Sequence, residues 1–441
     1  MEFGHRRAES VMRVLATLMF MTVLCAPAAP QGQVGRANWE RCESGDPDRS
    51  IGGCSALIRS DRETPVRLAK AFDYRGSAYL HKGDFDRAIQ DLDQASRLNP
   101  SSAETFYDRG LAYAHKGDYD HAIQDYDQAL RLSPSLVPAF YGRGLAYAHK
   151  GDYREAIQDY DRALRLNPSY VDALIGRGNV FRRNGDYDHA IQDFDQALRL
   201  SPSSWEAFYS RGSAYTHKGD YHRAIQDYDK ALELNPSFAD VFVTRGLALA
   251  HNGDYDRAIQ DYDQAIRLNA NSAEAFYNRA LAHLHKGDDQ RAIEDYAEAL
   301  RLKPDDADAL YGRALAYGHG RHYDLAIKDY DRALLFNPTF VEAFNNRGVE
   351  YARKGDFDRA IQDYDQAIRL NARFASAFHN RSLAYAHKGE YLRAIADGGQ
   401  FVWLKFGVLG VTIRLCLLAF VVALGFRFKR FRRDPSTGQQ S

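Results

Sequence analysis

Residues 103–136 read AETFYDRGLAYAHKGDYDHAIQDYDQALRLSPSL, and this stretch returns along the chain with a period of 34 residues. Its clearest mark is a Gly-Asp pair, which recurs at Gly83, Gly117, Gly151, Gly185, Gly219, Gly253, Gly287 and Gly355 and continues as Gly389-Glu390. Ten such blocks can be laid out from Ala69 onward, so the repeat covers about three quarters of the 441 residues. A fixed period of this length is typical of an array of small structural units. The sequence therefore predicts a repeat array and not three unrelated domains.

Each block has the pattern of two amphipathic helices joined by a tight turn. Apolar residues recur at helical spacing on both sides of Gly117-Asp118. Gly117 can adopt the left-handed conformation that ends a helix, and the Asp118 carboxylate can accept hydrogen bonds from the free N–H groups of the next one. Pro134 ends the second helix, because proline has no N–H group to donate. The chain is predicted to be all-α.

The block resembles the tetratricopeptide repeat (TPR), whose pattern Trp-x-x-Leu-Gly-x-x-Tyr, Ala-x-x-x-Phe and Pro is met here by Phe106, Gly110, Tyr113, Ala122, Tyr126 and Pro134. The resemblance implies a right-handed superhelical solenoid of about ten helix-turn-helix repeats over residues 69–400, the tenth of them degenerate. One position departs from the family, because Arg replaces its Leu in all ten blocks. We expect each Arg to lay its stem on the core and to pair with an Asp of a neighbouring helix. These residues are Arg75, Arg109, Arg143, Arg177, Arg211, Arg245, Arg279, Arg313, Arg347 and Arg381.

The resemblance also implies a binding groove, since the first helices of such repeats line a concave surface that takes segments of partner proteins. Carried onto this chain, the groove presents tyrosines at Tyr107, Tyr141, Tyr209, Tyr277 and Tyr311. Acidic side chains lie beside them at Glu104, Asp172, Glu206, Asp240, Glu274, Asp308 and Glu342. Aromatic and acidic groups together favour a partner segment with basic and apolar side chains. The alternative is that the tyrosines only pack against the next repeat.

A row of histidines shares one position near the end of the first helices: His81, His115, His149, His217, His251, His285, His319 and His387. The simplest interpretation is that a cation there interacts favourably with the helix macrodipole. A metal array is disfavoured, because equivalent atoms in adjacent repeats lie about 10 Å apart and zinc needs ligands at about 2.0–2.1 Å. A third interpretation is a row that gains positive charge below about pH 6.5 and so changes binding. On that basis the predicted groove includes His115, His149, His217 and His251.

Asp and Arg also recur four residues apart on the second helices, as in Asp127 and Arg131. We expect these pairs to lie on an exposed face, where each contributes about 0.3–0.5 kcal/mol. They predict a solvated surface and not a set of catalytic carboxylates.

The N-terminal segment is typical of a signal peptide, which we assign to residues 1–28. Three arginines precede a short apolar run, and the small residues Ala26 and Ala28 provide a cleavage site. The run of about 13 residues is shorter than the roughly 20 needed to cross a bilayer. A start at Met12 would leave an equally good signal.

The C-terminal segment is predicted to cross a membrane once. Residues 401–426 are long and apolar enough to span, and Arg414 near their centre is the costliest residue to insert. Residues 427–441 carry five closely spaced basic side chains, which the positive-inside rule keeps in the cytoplasm. The repeats are therefore expected on the extracytoplasmic side, in a bacterial envelope the periplasm.

The cysteines agree with this placement. Outside the predicted signal and span only Cys42 and Cys54 remain, and such a pair in an oxidising compartment predicts one disulfide. The alternative, half of a metal site, lacks the second pair of ligands that such a site needs. We interpret residues 29–68 as an N-terminal cap, a degenerate half-repeat pinned by this disulfide.

Composition and motifs exclude several function classes. The chain has 58 Lys and Arg against 59 Asp and Glu, so no overall field attracts it to nucleic acid. It has no phosphate loop and no hydrolase motif, and little chain remains outside the repeats to form a catalytic domain, so neither enzyme activity nor a cofactor is expected. The sequence predicts a non-enzymatic, membrane-tethered scaffold that binds a protein or peptide partner. Two alternatives stay open: a structural spacer or self-associating envelope protein, and an accessory subunit of a polymer-export or secretion complex.

Overall fold

The computed structural model describes residues 31–60 and 62–405, and this part of the chain contains 22 α-helices and no β-strand. Two helices, α1 (Gln31–Cys42) and α2 (Pro47–Ser60), precede ten pairs that follow the 34-residue period. The first helices of these pairs are α3 (Pro65–His81), α5 (Ala103–His115), α7 (Val137–Lys150), α9 (Val171–Arg183), α11 (Trp205–His217), α13 (Ala239–His251), α15 (Ala273–His285), α17 (Ala307–His319), α19 (Val341–Arg353) and α21 (Ala375–His387). The second helices are α4 (Phe85–Leu98), α6 (Tyr119–Leu132), α8 (Tyr153–Leu166), α10 (Tyr187–Leu200), α12 (Tyr221–Leu234), α14 (Tyr255–Leu268), α16 (Asp289–Leu302), α18 (Tyr323–Phe336), α20 (Phe357–Leu370) and α22 (391–405). A boundary between two compact units falls within α11, after Ala214.

The predicted turn between the paired helices is confirmed. Gly117 has a φ of 78°, a left-handed conformation that favours glycine, and Asp118 Oδ1 accepts a hydrogen bond from the backbone N–H of His121 at 3.3 Å. The eighth repeat differs because it has no Gly-Asp pair. Arg321 stands at the glycine position with a φ of 61°, and His322 at the start of α18 makes no capping hydrogen bond through its side chain.

The core between paired helices combines small residues with one large ring. Gly110 on α5 and Ala122 on α6 are buried, and a Cβ added at Gly110 would lie 3.0 Å from the Tyr126 ring. That ring is fully buried, as are its equivalents Tyr160, Phe194, Tyr228, Tyr262, Tyr296, Tyr330 and Tyr364. Burial of an aromatic side chain contributes about 1.5–3 kcal/mol, so these rings supply much of the stabilisation of each pair.

In most repeats the arginine of this column joins the repeat to the one before it. Arg245 Nε and Nη2 donate to Asp261 Oδ2 and Oδ1 on α14 at 2.8 and 2.6 Å, and Nη1 donates to Asp229 Oδ1 on α12 at 2.6 Å. We call this set of bonds the inter-repeat clamp. The expected pairing of these arginines with aspartates is thus confirmed, and the same three-way arrangement is formed by Arg109, Arg143, Arg177, Arg279, Arg347 and Arg381.

The prediction of exposed Asp–Arg pairs four residues apart is wrong for most of these aspartates, because the clamp uses them. Asp127 accepts from Arg143 of the next repeat, while Arg131 donates to Gln128 at 2.9 Å. A guanidinium that is already partly buried offers a stronger partner than an exposed one, since the bond is less screened by water. The predicted pairing is seen at Asp93, which lies 2.8 Å from Arg97.

The N-terminal segment expected to be a half-repeat forms two helices, α1 and α2. Cys42 and Cys54 are both buried and are joined as a disulfide. Helix α2 also contacts α3 of the first repeat, since Arg75 Nη1 donates to Ser55 Oγ at 3.0 Å. The second helix of a preceding repeat makes the equivalent contact elsewhere in the array. The cap is therefore a modified repeat that presents the usual surface to α3.

The described part of the chain ends in α22. Arg381 Nε donates to Asp397 Oδ2 at 2.7 Å, which keeps α22 paired with α21, and Phe401 packs on His379 with ring centroids 4.8 Å apart. Residues 401–405, predicted to begin the transmembrane helix, thus belong to the tenth repeat. None of the helices in residues 31–60 and 62–405 combines the length and the hydropathy of a membrane-spanning helix. The predicted signal at 1–28, the rest of the predicted span with Arg414, and the tail at 427–441 lie outside the described residues.

Candidate partner-binding site

Two of the predicted groove tyrosines lie on neighbouring first helices of the first unit. Tyr107 on α5 and Tyr141 on α7 each pack on the buried ring of their own second helix, Tyr126 and Tyr160, with centroids 6.0 Å apart in both pairs. Burial raises the pKa of the Tyr107 hydroxyl. It therefore stays protonated at neutral pH and can donate a hydrogen bond.

A pocket of 270 Å³ opens between the second and third repeats, and we call it the tyrosine pocket. It contains four of the predicted site residues and is lined by Tyr107, Leu111, Ala114, His115, Tyr119, Tyr126, Tyr141, Gly142, Leu145, Ala146, His149 and Tyr170. Aromatic and aliphatic groups dominate this lining, with hydroxyl and imidazole groups among them. Such a surface suits an apolar group that carries a polar atom.

A second pocket of 560 Å³, the acidic pocket, lies beside the first and shares Tyr141 and Leu145 with it. Its lining includes two predicted acidic residues and consists of Tyr141, Leu145, Val171, Asp172, Ile175, Gly176, Asn179, Ser201, Ser203, Ser204 and Glu206. Neither pocket has a Lys or Arg among its lining residues. Their shared wall makes them one continuous surface with an apolar part and an anionic part.

In the second unit the predicted residues are distributed differently. A pocket of 280 Å³ is lined by Leu247, Ala250, His251, Tyr255, Tyr262, Asn278, Leu281, Ala282 and His285. Of the predicted residues it includes only His251. Tyr277 and Tyr311 instead pack on Tyr296 and Tyr330, with centroids 5.8 Å apart in both pairs. Each of these tyrosines packs on the second helix of its own repeat, as Tyr107 and Tyr141 also do.

The histidine row packs between consecutive repeats. The His149 ring stacks on Tyr119 of the preceding repeat with centroids 4.9 Å apart and planes 5° apart. In the seventh repeat Asp289 replaces that aromatic residue, and His319 Nδ1 lies 3.0 Å from Asp289 Oδ1 instead. The same stacking joins His115 to Phe85, His251 to Tyr221, His285 to Tyr255 and His387 to Phe357.

The remaining predicted residues lie outside these pockets. Glu104, Asp240 and Glu274 are exposed on first helices, and Tyr209 and His217 lie on α11, where the unit boundary falls. Within the two described ranges, 31–60 and 62–405, no group of three or more His, Cys, Asp or Glu side chains is placed to hold a metal ion.

Sequence reasoning missed two kinds of lining residue. The first is the aromatic residue after Gly-Asp, such as Tyr119, which lines the tyrosine pocket. The second is the residue before the clamp arginine, which is Gly142 in the tyrosine pocket and Gly176 in the acidic pocket. A Cβ added at Gly142 or Gly176 would meet a buried tyrosine ring, whereas the equivalent position in the pocket of the second unit is Asn278. The signal was the variability of this position, which holds Asp108 in the second repeat and Asn346 in the ninth.

Asp108 shows the consequence of another residue at that position. Burial raises the pKa of its carboxyl to about 6, with a smaller contribution from the nearby charge of Asp73. The Ser77 hydroxyl donates to it and partly offsets the shift. The position therefore varies between repeats from a titratable carboxyl group to a glycine.

The chain is similar to known proteins in both its sequence and its structure. The sequence model of a tetratricopeptide repeat family matches residues 75–137, 141–204, 175–237 and 243–307, and a second model of the repeat matches 307–340 and 341–374. No curated protein matches the chain significantly.

Several solved structures are similar. A TPR protein from Parabacteroides merdae ATCC 43184 is 20% identical, with a TM-score of 0.47, over 57% of this chain and 99% of its own. YrrB, described as a TPR protein with an unusual peptide-binding site, is 24% identical, with a TM-score of 0.36, over 45% of this chain and 99% of its own. MamA from Desulfovibrio magneticus RS-1 is 21% identical, with a TM-score of 0.36, over 38% of this chain and 96% of its own.

The matched residues span most of the ten helix pairs, and the pairs follow the same 34-residue period as the sequence. This agreement between sequence and structure covers more than half of the chain, which therefore belongs to the tetratricopeptide repeat family.

Proposed function

We propose that this protein is a non-enzymatic scaffold that binds a segment of a partner protein across the tyrosine pocket and the acidic pocket. The observation that carries the proposal is the continuity of the two pockets, which share Tyr141 and Leu145. A segment that places an apolar side chain in one pocket would bring its neighbours to the other. TPR proteins as a family bind proteins or peptides, which agrees with this use of the surface.

The charge of the surface supports a basic partner. Asp172 is exposed in the acidic pocket, Glu206 lines the same wall, and no cation lines either pocket to neutralise them. Opposite charge at an interface mainly raises the association rate and selects among partners. Because exposed charges are screened, binding should weaken when the salt concentration rises from 0.15 to about 0.5 M.

The test is photo-crosslinking in living cells of the source organism, with p-benzoyl-phenylalanine introduced at Asp172. The matched control is Arg162, which is exposed on α8 and lines neither pocket. The proposal expects a discrete crosslinked protein from position 172 and none from position 162. Equal products from both positions, or none from either with the protein folded, would reject it and favour a structural spacer.

We further propose that the repeats lie outside the cytoplasm, tethered by the segment after residue 405. The buried Cys42–Cys54 disulfide supports an oxidising compartment. Exposed apolar residues on α22 support the proposal that a membrane lies nearby. Leu392 is 86% exposed and Trp403 50% exposed, whereas the equivalent residues of the ninth repeat are the charged Asp358 and Arg369. Aromatic residues of this kind are enriched at membrane interfaces.

Reporter fusions test this topology. Alkaline phosphatase fused after residue 400 should be active outside the cytoplasm, and a fluorescent protein fused after residue 441 should fluoresce inside it. An inactive phosphatase in stably produced fusion protein would reject the extracytoplasmic placement. It would leave the binding proposal intact, since that depends only on the pockets.

A further inference from the structure

The pocket of the second unit contains a largely buried side-chain amide that has no partner in the protein. We call it the asparagine pocket; it has a volume of 280 Å³ and is lined by Leu247, Ala250, His251, Tyr255, Tyr262, Asn278, Leu281, Ala282 and His285. Asn278 is 7% exposed, and in the part of the chain that the structure describes its side-chain amide makes no hydrogen bond. The amide is not sealed off from solvent as the Tyr126 hydroxyl is, so a group that enters the pocket can reach it.

Two other repeats show how the array satisfies an asparagine at this position. Asn346 is the equivalent residue of the ninth repeat, and its Nδ2 donates to Tyr311 Oη of the preceding repeat at 2.9 Å. Asn380 is the equivalent residue of the tenth repeat, and its Nδ2 donates to Asn345 Oδ1 at 3.0 Å. In both cases the acceptor stands 35 residues earlier in the chain, on the neighbouring first helix.

The seventh repeat has the asparagine but lacks this acceptor. The residue 35 positions before Asn278 is Val243, which has no polar side-chain atom. Folding therefore removes the amide of Asn278 from most of its contact with water and returns no hydrogen bond, which is unfavourable. A polar group left unpaired at the wall of a pocket is a candidate for pairing with a ligand.

The rest of the lining favours an uncharged ligand. Leu247, Ala250, Leu281 and Ala282 form an aliphatic wall, and the lining includes no Asp, Glu, Lys or Arg. A charged side chain that entered the pocket would lose hydration and find no permanent counter-charge. The ligand is therefore expected to be apolar along its length and to carry a neutral polar group at its end.

The two histidines of the pocket are held in place by stacking between repeats. The His251 ring packs on Tyr221, and the His285 ring packs on Tyr255, with centroids 5.0 and 5.1 Å apart. Their rings are thus fixed parts of the wall. A protonated imidazole would attract a carboxylate, so the experiment below includes one.

We infer that the asparagine pocket binds the side chain of a glutamine from a partner segment, whose carboxamide pairs with the amide of Asn278. The C=O and one N–H of a primary carboxamide lie on the same side, so two such groups can exchange two hydrogen bonds. The two methylene groups of glutamine would lie against the aliphatic wall. The volume of 280 Å³ is smaller than the roughly 300–1,000 Å³ of sites for small organic ligands, which suits a single side chain.

Other groups match the pocket less well. Leucine or methionine would fill it but leave the Asn278 amide unpaired, and glutamate would bring a charge into an uncharged lining. A main-chain peptide group is trans, so its C=O and N–H point in opposite directions and cannot both reach one amide. The site shares no residue with the tyrosine pocket or the acidic pocket, so the inference goes beyond the proposed function.

The test compares butanamide, which reproduces the glutamine side chain, with three compounds of similar shape. Methyl propyl ketone lacks the N–H group, butanoate is charged, and N-methylbutanamide has the trans geometry of a main-chain peptide group. Binding to the full-length chain in lipid nanodiscs is measured by ligand-observed NMR titration, with nanodiscs that lack the protein as the blank. Butanamide is expected to bind about five- to tenfold more tightly than each of the other three, the effect of one net hydrogen bond.

Three variants locate the effect. Asn278→Leu keeps the approximate volume and removes the amide, so butanamide should fall to the affinity of the ketone, whose remaining binding shows that the pocket is intact. Val243→Tyr supplies the hydroxyl that Tyr311 provides to Asn346, so it should also abolish the preference. Asn346→Leu, the matched control, removes an asparagine that is already paired and lies outside the pocket, and it should leave the preference as it is.

Three results would overturn the inference: equal binding of butanamide and the ketone, a preference that survives Asn278→Leu, or no saturable binding of butanamide. Tighter binding of N-methylbutanamide would assign the pocket to a main chain, and tighter binding of butanoate would assign it to a carboxylate, so either result would overturn it too. These results are distinguishable from failure of the proposed function, which crosslinking at Asp172 tests at a different site.

Discussion

Removing one arginine of the inter-repeat clamp tests how consecutive repeats are held together. Arg245→Met keeps most of the side-chain volume but removes the guanidinium that bonds Asp261 on α14 and Asp229 on α12. The two carboxylates then meet different environments. The Asp261 side chain is 8% exposed, whereas that of Asp229 is 42% exposed and can be hydrated instead.

The magnitude follows from this difference. Breaking a buried ion pair by removing one partner costs about 3–5 kcal/mol, because a charge is left buried without compensation, and most of this cost should come from Asp261. Asp229→Ala, the control, should cost under about 1 kcal/mol, as expected for a partly exposed pair. The double variant Arg245→Met/Asp261→Leu removes both buried charges and should return to within about 1 kcal/mol of the unmodified chain.

The pH dependence of the cost has a definite sign. Burial already raises the pKa of Asp261 despite the adjacent guanidinium, and loss of Arg245 removes the charge that opposed this shift. The variant's folded state therefore takes up a proton more readily than its unfolded state does, so its deficit should shrink as the pH falls from 7.5 to 5.

Hydrogen exchange of the backbone amides in α13 and α14 is the suitable assay, because a repeat array opens locally and has no single unfolding transition. The reasoning would be refuted if Arg245→Met cost no more than Asp229→Ala. It would also be refuted if the double variant lost the sum of its two single changes, since the clamp would then contribute packing and not charge compensation.

Three other changes have expected outcomes. Arg321→Gly should stabilise the turn before α18 by about 1 kcal/mol, because a non-glycine residue with positive φ is strained. Adding His322→Asp should stabilise it by about 1 kcal/mol more, because the aspartate restores the helix cap. Local hydrogen exchange would measure both changes. The stability of α5 should fall by about 1 kcal/mol between pH 5 and 7.5, because the folded pKa of Asp108 is near 6 and lies above its unfolded value. Asp108→Asn should abolish this pH dependence. If the pH profile of the variant were unchanged, Asp108 would not be the titrating group. Replacing Cys42 and Cys54 by alanine should cost about 3 kcal/mol and unprotect the amides of α1 and α2, with the later helices as an internal control in the same exchange experiment.

The fold was predictable because each helix boundary is encoded locally. Gly117 and Asp118 specify a turn by backbone conformation and hydrogen bonding. The same pair recurs at intervals of 34 residues and specifies the same turn in the other repeats that contain it. For Arg245 the sequence predicted the type of partner, an aspartate of a neighbouring helix, but not which aspartate. Which aspartate is buried depends on how two helices meet, which the order of residues along one helix does not specify.

The candidate site was predictable only in part for a related reason. Tyr107 and Tyr141 lie on neighbouring first helices, but the pocket beside them also uses Gly142, which the groove pattern did not include. A missing side chain leaves no pattern in hydropathy or charge. In the corresponding pocket of the second unit the position of Tyr107 is Val243, and neither Val243 nor Tyr277 is among the lining residues.

The clamp has a consequence for how such a chain can change in length. Because Arg245 and most of its equivalents bond the same aspartate of the preceding repeat, most junctions are chemically alike, and a repeat duplicated or deleted among them would find matching partners on both sides. Gene duplication could therefore lengthen or shorten the array by whole units without a new interface having to evolve. The junction between the seventh and eighth repeats is different, since Ala297 stands where that aspartate would be and Asp289 replaces the stacking ring. A repeat copied into this place would lose its usual partners, so this junction fixes the order of the repeats on either side of it.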